Sequence, residues 1–331
     1  MNENVINMEN PSPNVQFSEP KVFTRKTKRL IFYTLMMAIP VLHFLVFYCY
    51  VNIDTFASAF RITEYINGVG IVESYHPTYN ILAVWEWFLE DEWVGFWNSI
   101  KAYVITYCTS GIFSIFASYY VYKKFMFSGI FKLFLYLPSI VSGVVLTFVY
   151  RHLVNRLVPT LVNDTFYGGE RVLPALLDEY PFGMVLGYGI FMGLGGNILM
   201  YSGTMSGIDD SIVEAAHLDG VNALQEFWYI TLPLIYPTFV TFFVTGLANI
   251  FIYDLGLFTF FGDSEPLSKG IHTVGYLLFV STKKGATINN SMSGILSLNQ
   301  VATLGLMITM LMLPTSLLVR KVMTKYGPST T

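Results

Sequence analysis

The sequence predicts an all-α, polytopic membrane protein with six transmembrane helices. Three observations carry this. Only 12% of the 331 residues are charged and 53% are hydrophobic, whereas a soluble domain carries about 25% charged residues. The apolar residues fall in runs long enough to cross a bilayer. Lys and Arg crowd some of the intervening stretches and are sparse in others, the pattern that membrane topology imposes. The net charge of −3 is too small to single out nucleic acid or another charged partner. Cys49 and Cys108 each lie in an apolar run and are expected to be buried structural thiols, not a disulfide framework. The start Met1-Asn2-Glu3-Asn4 has no basic region ahead of an apolar stretch, so no cleavable signal peptide is expected.

Residues 1–29 are polar, contain Pro11, Pro13 and Pro20, and end in Arg25-Lys26-Thr27-Lys28-Arg29, which reads as a disordered tail and an interfacial anchor. The first span is expected at 30–53, kinked at Pro40. Residues 54–97 form an acidic external excursion. Its end, Trp85 to Trp97, spaces Trp85, Phe88, Leu89, Trp93, Phe96 and Trp97 as an interfacial amphipathic helix would. Residues 98–320 form the core, with a second span at 98–122 closed by Lys123-Lys124 and a third at 131–153 containing Pro138. A polar stretch, 154–181, leads to the fourth span at 182–202. There the pairs Gly183/Gly187 and Gly189/Gly193 have the spacing that lets helix backbones approach closely. A polar island at 203–235 precedes the fifth span at 236–261; a polar loop, 262–294, precedes the sixth at 297–319, and a short tail, 321–331, ends the chain.

The N-terminal tail, the 123–132 loop and the C-terminal tail together with Arg320 just before it hold eleven of the 19 basic residues in little sequence. Both termini are therefore expected on the cytoplasmic side. The 203–235 island must then also be cytoplasmic, yet it holds no Lys or Arg and contains Asp209, Asp210, Glu214, Asp219 and Glu226. A protein partner is one reason for that missing positive charge.

The island reads as helix, glycine turn, helix. Ser211-Ile212-Val213-Glu214 has the form of a capping box. Gly220 stands where a glycine ends a helix, Asn222 caps a second helix from Ala223 to about Thr231, and Pro233 stops it. Ala215 and Ala216 leave a surface that another protein can approach closely. On these grounds alone the island is either a docking site or an ordinary linker.

The spacing decides more. Glu214-Ala215-Ala216, three residues, Gly220, nine residues, then Ile230-Thr231-Leu232-Pro233 resembles, position for position, the EAA loop of permease subunits of binding-protein-dependent ABC importers. Asp219-Gly220 after Leu218, and Phe227 ahead of Leu232-Pro233, look like the carbohydrate-uptake branch, similar to the maltose-transporter permeases. The resemblance implies a type I importer fold with a cytoplasmic coupling helix in the cytoplasmic membrane of a prokaryote. It implies a heterodimer with a second, homologous permease, two ABC ATPase subunits and an extracytoplasmic solute-binding protein. It implies that Glu214, Ala215, Ala216, Asp219, Gly220 and Pro233 serve coupling to the ATPase, Glu214 by pairing with a basic residue there.

No G-x-x-x-x-G-K-[ST] phosphate loop occurs, and His43, His76, His152, His217 and His272 are scattered without metal-ligand spacing. The chain is expected to bind no metal or cofactor of its own and to catalyse nothing, with ATP and Mg held by partner subunits. Polar groups within spans are costly, of order 3 kcal/mol for Asp at a helix centre, and so face a bundle interior or a water-filled path. Asn197 in the fourth span, Asn249, Tyr253 and Asp254 in the fifth, and Asn299 and Gln300 at the start of the sixth are therefore expected to line a substrate path or to hydrogen-bond between helices. His217 is expected to face solvent. Two departures from the family limit finer transfer: Gly262-Asp263-Ser264-Glu265-Pro266 replaces the usual Gly-Gly-Pro run, and the larger maltose permease's extra spans and external domain have no room here. Glycerol phosphate, a glycan acid or a polyamine remain alternative substrates, and a channel or sensor without an ATPase is the reading from another class.

Overall fold

The computed structural model describes residues 25–66, 70–90, 93–285 and 296–328. The expected tail at 1–24, Asp91 and Glu92, and the end of the 262–294 loop lie outside these residues. The chain forms two compact units, Met1–Asp54 and Thr55–Thr331.

Among the described residues, five helices are long and apolar enough to cross a membrane: α1 (Arg25–Ser58), α3 (Trp93–Tyr122), α7 (Pro181–Met205), α9 (Ala223–Ala248) and α13 (Leu298–Tyr326). A sixth crossing is available as a bent pair, α4 (Ser128–Ile140) and α5 (Gly143–Phe166), which meet at 108°. The third span is thus not the single helix expected at 131–153. Val141 and Ser142 are both extended and break it. The 154–181 stretch is likewise largely helical: α5 continues to Phe166, and a short α6 (Leu176–Glu179) precedes α7.

The helix α1 runs through Pro40 and relaxes into a π-helical stretch at Phe44–Tyr50. Elsewhere the π turn comes before the proline instead of after it. A π turn at Leu153–Leu157 precedes Pro159, and another at Phe227–Thr231 precedes Pro233. Proline lacks the N–H for the ladder and its ring crowds the carbonyl four residues back; a widened turn just ahead accommodates both. Pro233 therefore does not stop a helix, contrary to expectation, and lies inside α9.

The 54–97 stretch departs furthest from expectation. Arg61–Ile66 and Gly70–Tyr75 form an antiparallel hairpin, β1 and β2, with Arg61 opposite Tyr75. Their β-branched and aromatic residues favour strands. Asn80 Nδ2 donates to the Ala59 and Arg61 carbonyls (3.0 and 2.8 Å), tying the hairpin to α2 (Tyr79–Glu90). The aromatic residues expected on one interfacial helix are divided between α2 and the start of α3. The 262–294 loop is also corrected. After α8 (Asp210–Leu218) and α9 come α10 (Leu257–Phe261), α11 (Glu265–Ser268) and α12 (Val274–Gly285), and Val274, Tyr276, Leu277 and Val280 of α12 are buried.

Within residues 55–331, α7 packs along α3. Gly189 and Gly193 make that approach possible: a Cβ on them would stand 3.2 Å from Thr106 Cγ2 and 3.1 Å from Ser110 Oγ. Gly183, of the other expected pair, faces open space, whereas Gly187 meets Tyr150 of α5. One core cluster joins Ile115 and Tyr119 of α3, Tyr201 and Met205 of α7, and Phe227 and Ile235 of α9. Cys49 is half-buried and Cys108 is exposed in this chain, so neither is the buried thiol expected from its apolar run.

Candidate functional site

The island forms two helices with a glycine turn between them. Asp209, not Ser211, caps α8: its carboxylate accepts from the Ser211 N–H at 2.9 Å. Hydrogen bonds from Ser211 hold that carboxyl below the usual carboxylate range. At the far end the Gly220 N–H donates to the His217 carbonyl and the Val221 N–H to the Ala216 carbonyl (3.1 and 3.0 Å). Gly220 takes φ +79°, the left-handed conformation that glycine adopts without a Cβ penalty. Asn222 then caps α9 through a reciprocal box with Gln225, both bonds 2.9 Å.

Glu214, Ala215, Asp219 and Gly220 are exposed. Glu214 makes no ion pair among the described residues, which leaves its charge available to another chain. Ala216 departs from expectation: it is buried, so its small side chain lets α8 lie close against its own protein rather than against a partner. Pro233 is half-buried within α9 and stands apart from the exposed surface. A surface pocket of about 380 Å³ is lined by Asp219, Gly220, Val221, Gln225, Tyr229 and Ile230. The surface around the turn is apolar, with Leu218, Leu224, Trp228 and Tyr229 all strongly exposed. Apolar exposure on this scale marks an interaction surface.

His217 is exposed, as expected, and also reaches an acidic neighbour. Its Nε2 lies 3.4 Å from the Glu226 carboxylate, whose other oxygen is 2.5 Å from Lys123 Nζ. Glu226 is 1% exposed. The acidic island thus obtains its missing positive charge from the end of α3, which sequence reasoning did not foresee.

A second site lies between α3, α7 and α9. A cavity of about 370 Å³ is walled by Ser99, Ala102, Tyr103, Thr106, Tyr107 and Ser110 of α3 and by Gly189, Met192, Gly193 and Asn197 of α7. Gly246, at the end of α9, and Asn249, Ile250, Tyr253 and Leu255, in the turn after it, complete the wall. Of the expected path residues, Asn197, Asn249 and Tyr253 come together here. Asn249 and Tyr253 do so from that turn, not from within a span, because α9 ends at Ala248. Asn249 Nδ2 donates to the Thr245 carbonyl at 2.9 Å, leaving the amide oxygen for another donor. The Asn197 amide has no hydrogen-bond partner among the described residues.

The other three do not line this cavity. Asp254 closes the turn by accepting from the Gly256 N–H at 3.0 Å. Gln300 is the reciprocal partner of Ser297 in the capping box that starts α13, and Asn299 accepts from Thr303 through its carbonyl. The α3 wall was missed, although Ser99, Tyr103, Thr106 and Ser110 recur at helical spacing. That polar stripe inside an apolar span was the available signal.

Multiple spans, an uncharged cavity with hydroxyl and amide groups between them and a helix–turn–helix exposed at one end define a multi-pass membrane transport subunit. The chain belongs to the family described as binding-protein-dependent transport system inner membrane component, which matches residues 110–329. It is 27% identical over 289 residues to the arabinooligosaccharides transport system permease protein AraP of Halalkalibacterium halodurans, covering 78% of this chain and 82% of that one. It is 26% identical over 168 residues to the probable starch degradation products transport system permease protein AmyD of Thermoanaerobacterium thermosulfurigenes, covering 49% and 57%. Its fold is similar to that of a chain in the crystal structure of a bacterial alginate ABC transporter in complex with an alginate pentasaccharide-bound periplasmic protein. The TM-score is 0.69 with 16% identity, covering 91% of this chain and 96% of that one.

Proposed function

We propose that this permease carries a neutral oligosaccharide across the cytoplasmic membrane, driven by ATP hydrolysis on separate subunits. The observation that carries the reading is the cavity's chemistry. None of the described residues lining it is charged, while hydroxyls, amides and aromatic rings abound. Hydroxyls and amides hydrogen-bond sugar hydroxyls in either direction, and the Tyr rings offer apolar faces to a pyranose or furanose. Its volume falls in the range of about 300–1,000 Å³ typical of small-molecule sites. A carboxylated glycan, a glycerol phosphate or a polyamine would bring charge into this setting without a counter-charge, which is costly. The names of the relatives, among them arabinooligosaccharide and starch-product permeases, favour a saccharide.

The complex would comprise this chain, a second homologous permease, two ABC ATPases and an extracytoplasmic binding protein, embedded in the lipid bilayer with both termini cytoplasmic. This chain would catalyse nothing and bind no cofactor; ATP and Mg would sit on the ATPases. Glu214, Ala215, Asp219 and Gly220 would seat in a cleft of the ATPase, and its closure would rock the permeases between inward- and outward-facing states.

The test is uptake by the complex in proteoliposomes, with labelled neutral trisaccharides of hexose and of pentose set against a galacturonate trisaccharide. Neutral uptake should exceed acidic uptake at least about tenfold, the effect of one unmet polar contact or more. Preference for the uronate overturns the neutral reading, and no uptake of any saccharide overturns the carbohydrate reading. Asn197→Leu should raise the half-saturating concentration of the accepted sugar by about three- to tenfold, the loss of one hydrogen bond. An unchanged value removes Asn197 from the path.

A further inference from the structure

We infer that Glu226 is a positioning residue for transport: with Lys123 and His217 it forms the strut through which movement of the coupling helix reaches the α3 and α9 sides of the substrate cavity. Glu226 is buried near the start of α9, yet it meets residues of two other helices. His217 belongs to α8, the helix we assign to ATPase coupling, and Lys123 directly follows the end of α3. The rest of the junction is equally close. Tyr119 Oη donates to the Ala223 carbonyl at 2.8 Å. Phe227 packs edge-on against Tyr119 (4.9 Å between centroids) and stacks on Phe116 (5.1 Å).

Two of the three helices that wall the cavity, α3 and α9, are gripped at this end; α7 is the third. The helix α3 supplies Tyr103, Thr106, Tyr107 and Ser110, and α9 leads to Gly246 and Asn249. A helix rises 1.5 Å per residue, so Tyr107 lies about 24 Å along α3 from Lys123. A rigid helix carries a tilt over that distance if its end is held. In low dielectric the Lys123–Glu226 pair holds position more firmly than packing alone, because separating it exposes an uncompensated buried charge, and the more exposed His217 adds a polar contact at 3.4 Å. Three residues from three elements therefore bind α8, α3 and α9 into one moving body.

This rests on the coupling reading of α8, and the test separates the two. In the complete transporter, a spin label at Trp97, at the outer end of α3, is paired with one on the outer surface of the partner permease. Adding a non-hydrolysable ATP analogue should change their distance in the otherwise unaltered complex; no change there defeats the coupling reading itself. With that change seen, Glu226→Gln should lose it while the complex still assembles and hydrolyses ATP, and the charge swap Lys123→Glu with Glu226→Lys should restore it. A wild-type distance change in Glu226→Gln overturns the strut. So does a swapped variant that assembles but does not regain the change, because a merely structural role leaves nothing for charge pairing to rescue. If Glu226→Gln fails to assemble, the swap alone decides in the same way.

Discussion

Gly220→Pro is expected to leave the permease in the membrane and to reduce ATP-dependent uptake by about a hundredfold, the upper range of coupling between linked sites. Two losses combine. Proline holds φ near −65°, whereas Gly220 sits at +79°, and proline has no N–H to donate to the His217 carbonyl. The turn that aims α8 away from α9 would reopen, and the Asp219–Gly220 side of the pocket would be lost. Because Gly220 is exposed, the transmembrane core is spared. Glu214→Lys should give a similar loss without touching the backbone, by placing like charge against a basic cleft. Substrate-stimulated ATP turnover and uptake, measured on complexes of verified composition, check both. Normal uptake by either variant would remove α8 from coupling.

Gly275→Val carries the largest expected effect on stability. A Cβ at position 275 would stand 2.4 Å from the Ile252 carbonyl oxygen and 2.6 Å from its carbon, and backbone cannot swing aside as a side chain can. Overpacking of this kind costs about 1–3 kcal/mol or more. The contact also serves the cavity. The turn that presents Asn249 and Tyr253 rests on the start of α12, where Thr273 Oγ1 donates to the Tyr253 carbonyl at 3.3 Å. The variant should therefore show a lower thermal midpoint in detergent and lower membrane abundance, and any folded fraction should bind sugar poorly. An unchanged midpoint would mean that α12 does not seat against the turn in the membrane.

What was legible in the sequence followed from local rules. Hydropathy located the long apolar spans, and Asn222, three residues ahead of Gln225, marked the helix start that the structure caps reciprocally. Gly220 read as the end of a helix because the left-handed turn leaves few other choices. What was missed depends on contacts distant in sequence. The break at Val141–Ser142 puts only small residues, Ser139, Ser142 and Gly143, into an otherwise apolar run, which is too little for hydropathy to divide it. Residues 274–285 read as part of a loop because Lys283 and Lys284 dominate their end, although Tyr276 is fully buried. Glu226 looked like one more acidic residue of the island, since its partner Lys123 lies 103 positions away. Ser211 looked like a cap because it precedes Glu214 by three; Asp209 took the position two residues earlier.

The same contrast explains the candidate sites. The residues proposed for coupling lie close together between positions 214 and 220, within one short stretch of chain. The cavity is assembled from three helices and a turn, and its α3 wall emerges only when Gly189 and Gly193 bring α7 against it. Half of the expected path residues belong to it, and the others serve a turn or a helix start.

The most direct test of the whole account is sugar accumulation in proteoliposomes that hold this permease with its partner permease, the ATPases and the binding protein. The account predicts that a labelled neutral oligosaccharide accumulates against its gradient only when ATP is present on the side of α8. Equal uptake without ATP, or by this chain alone, would contradict it.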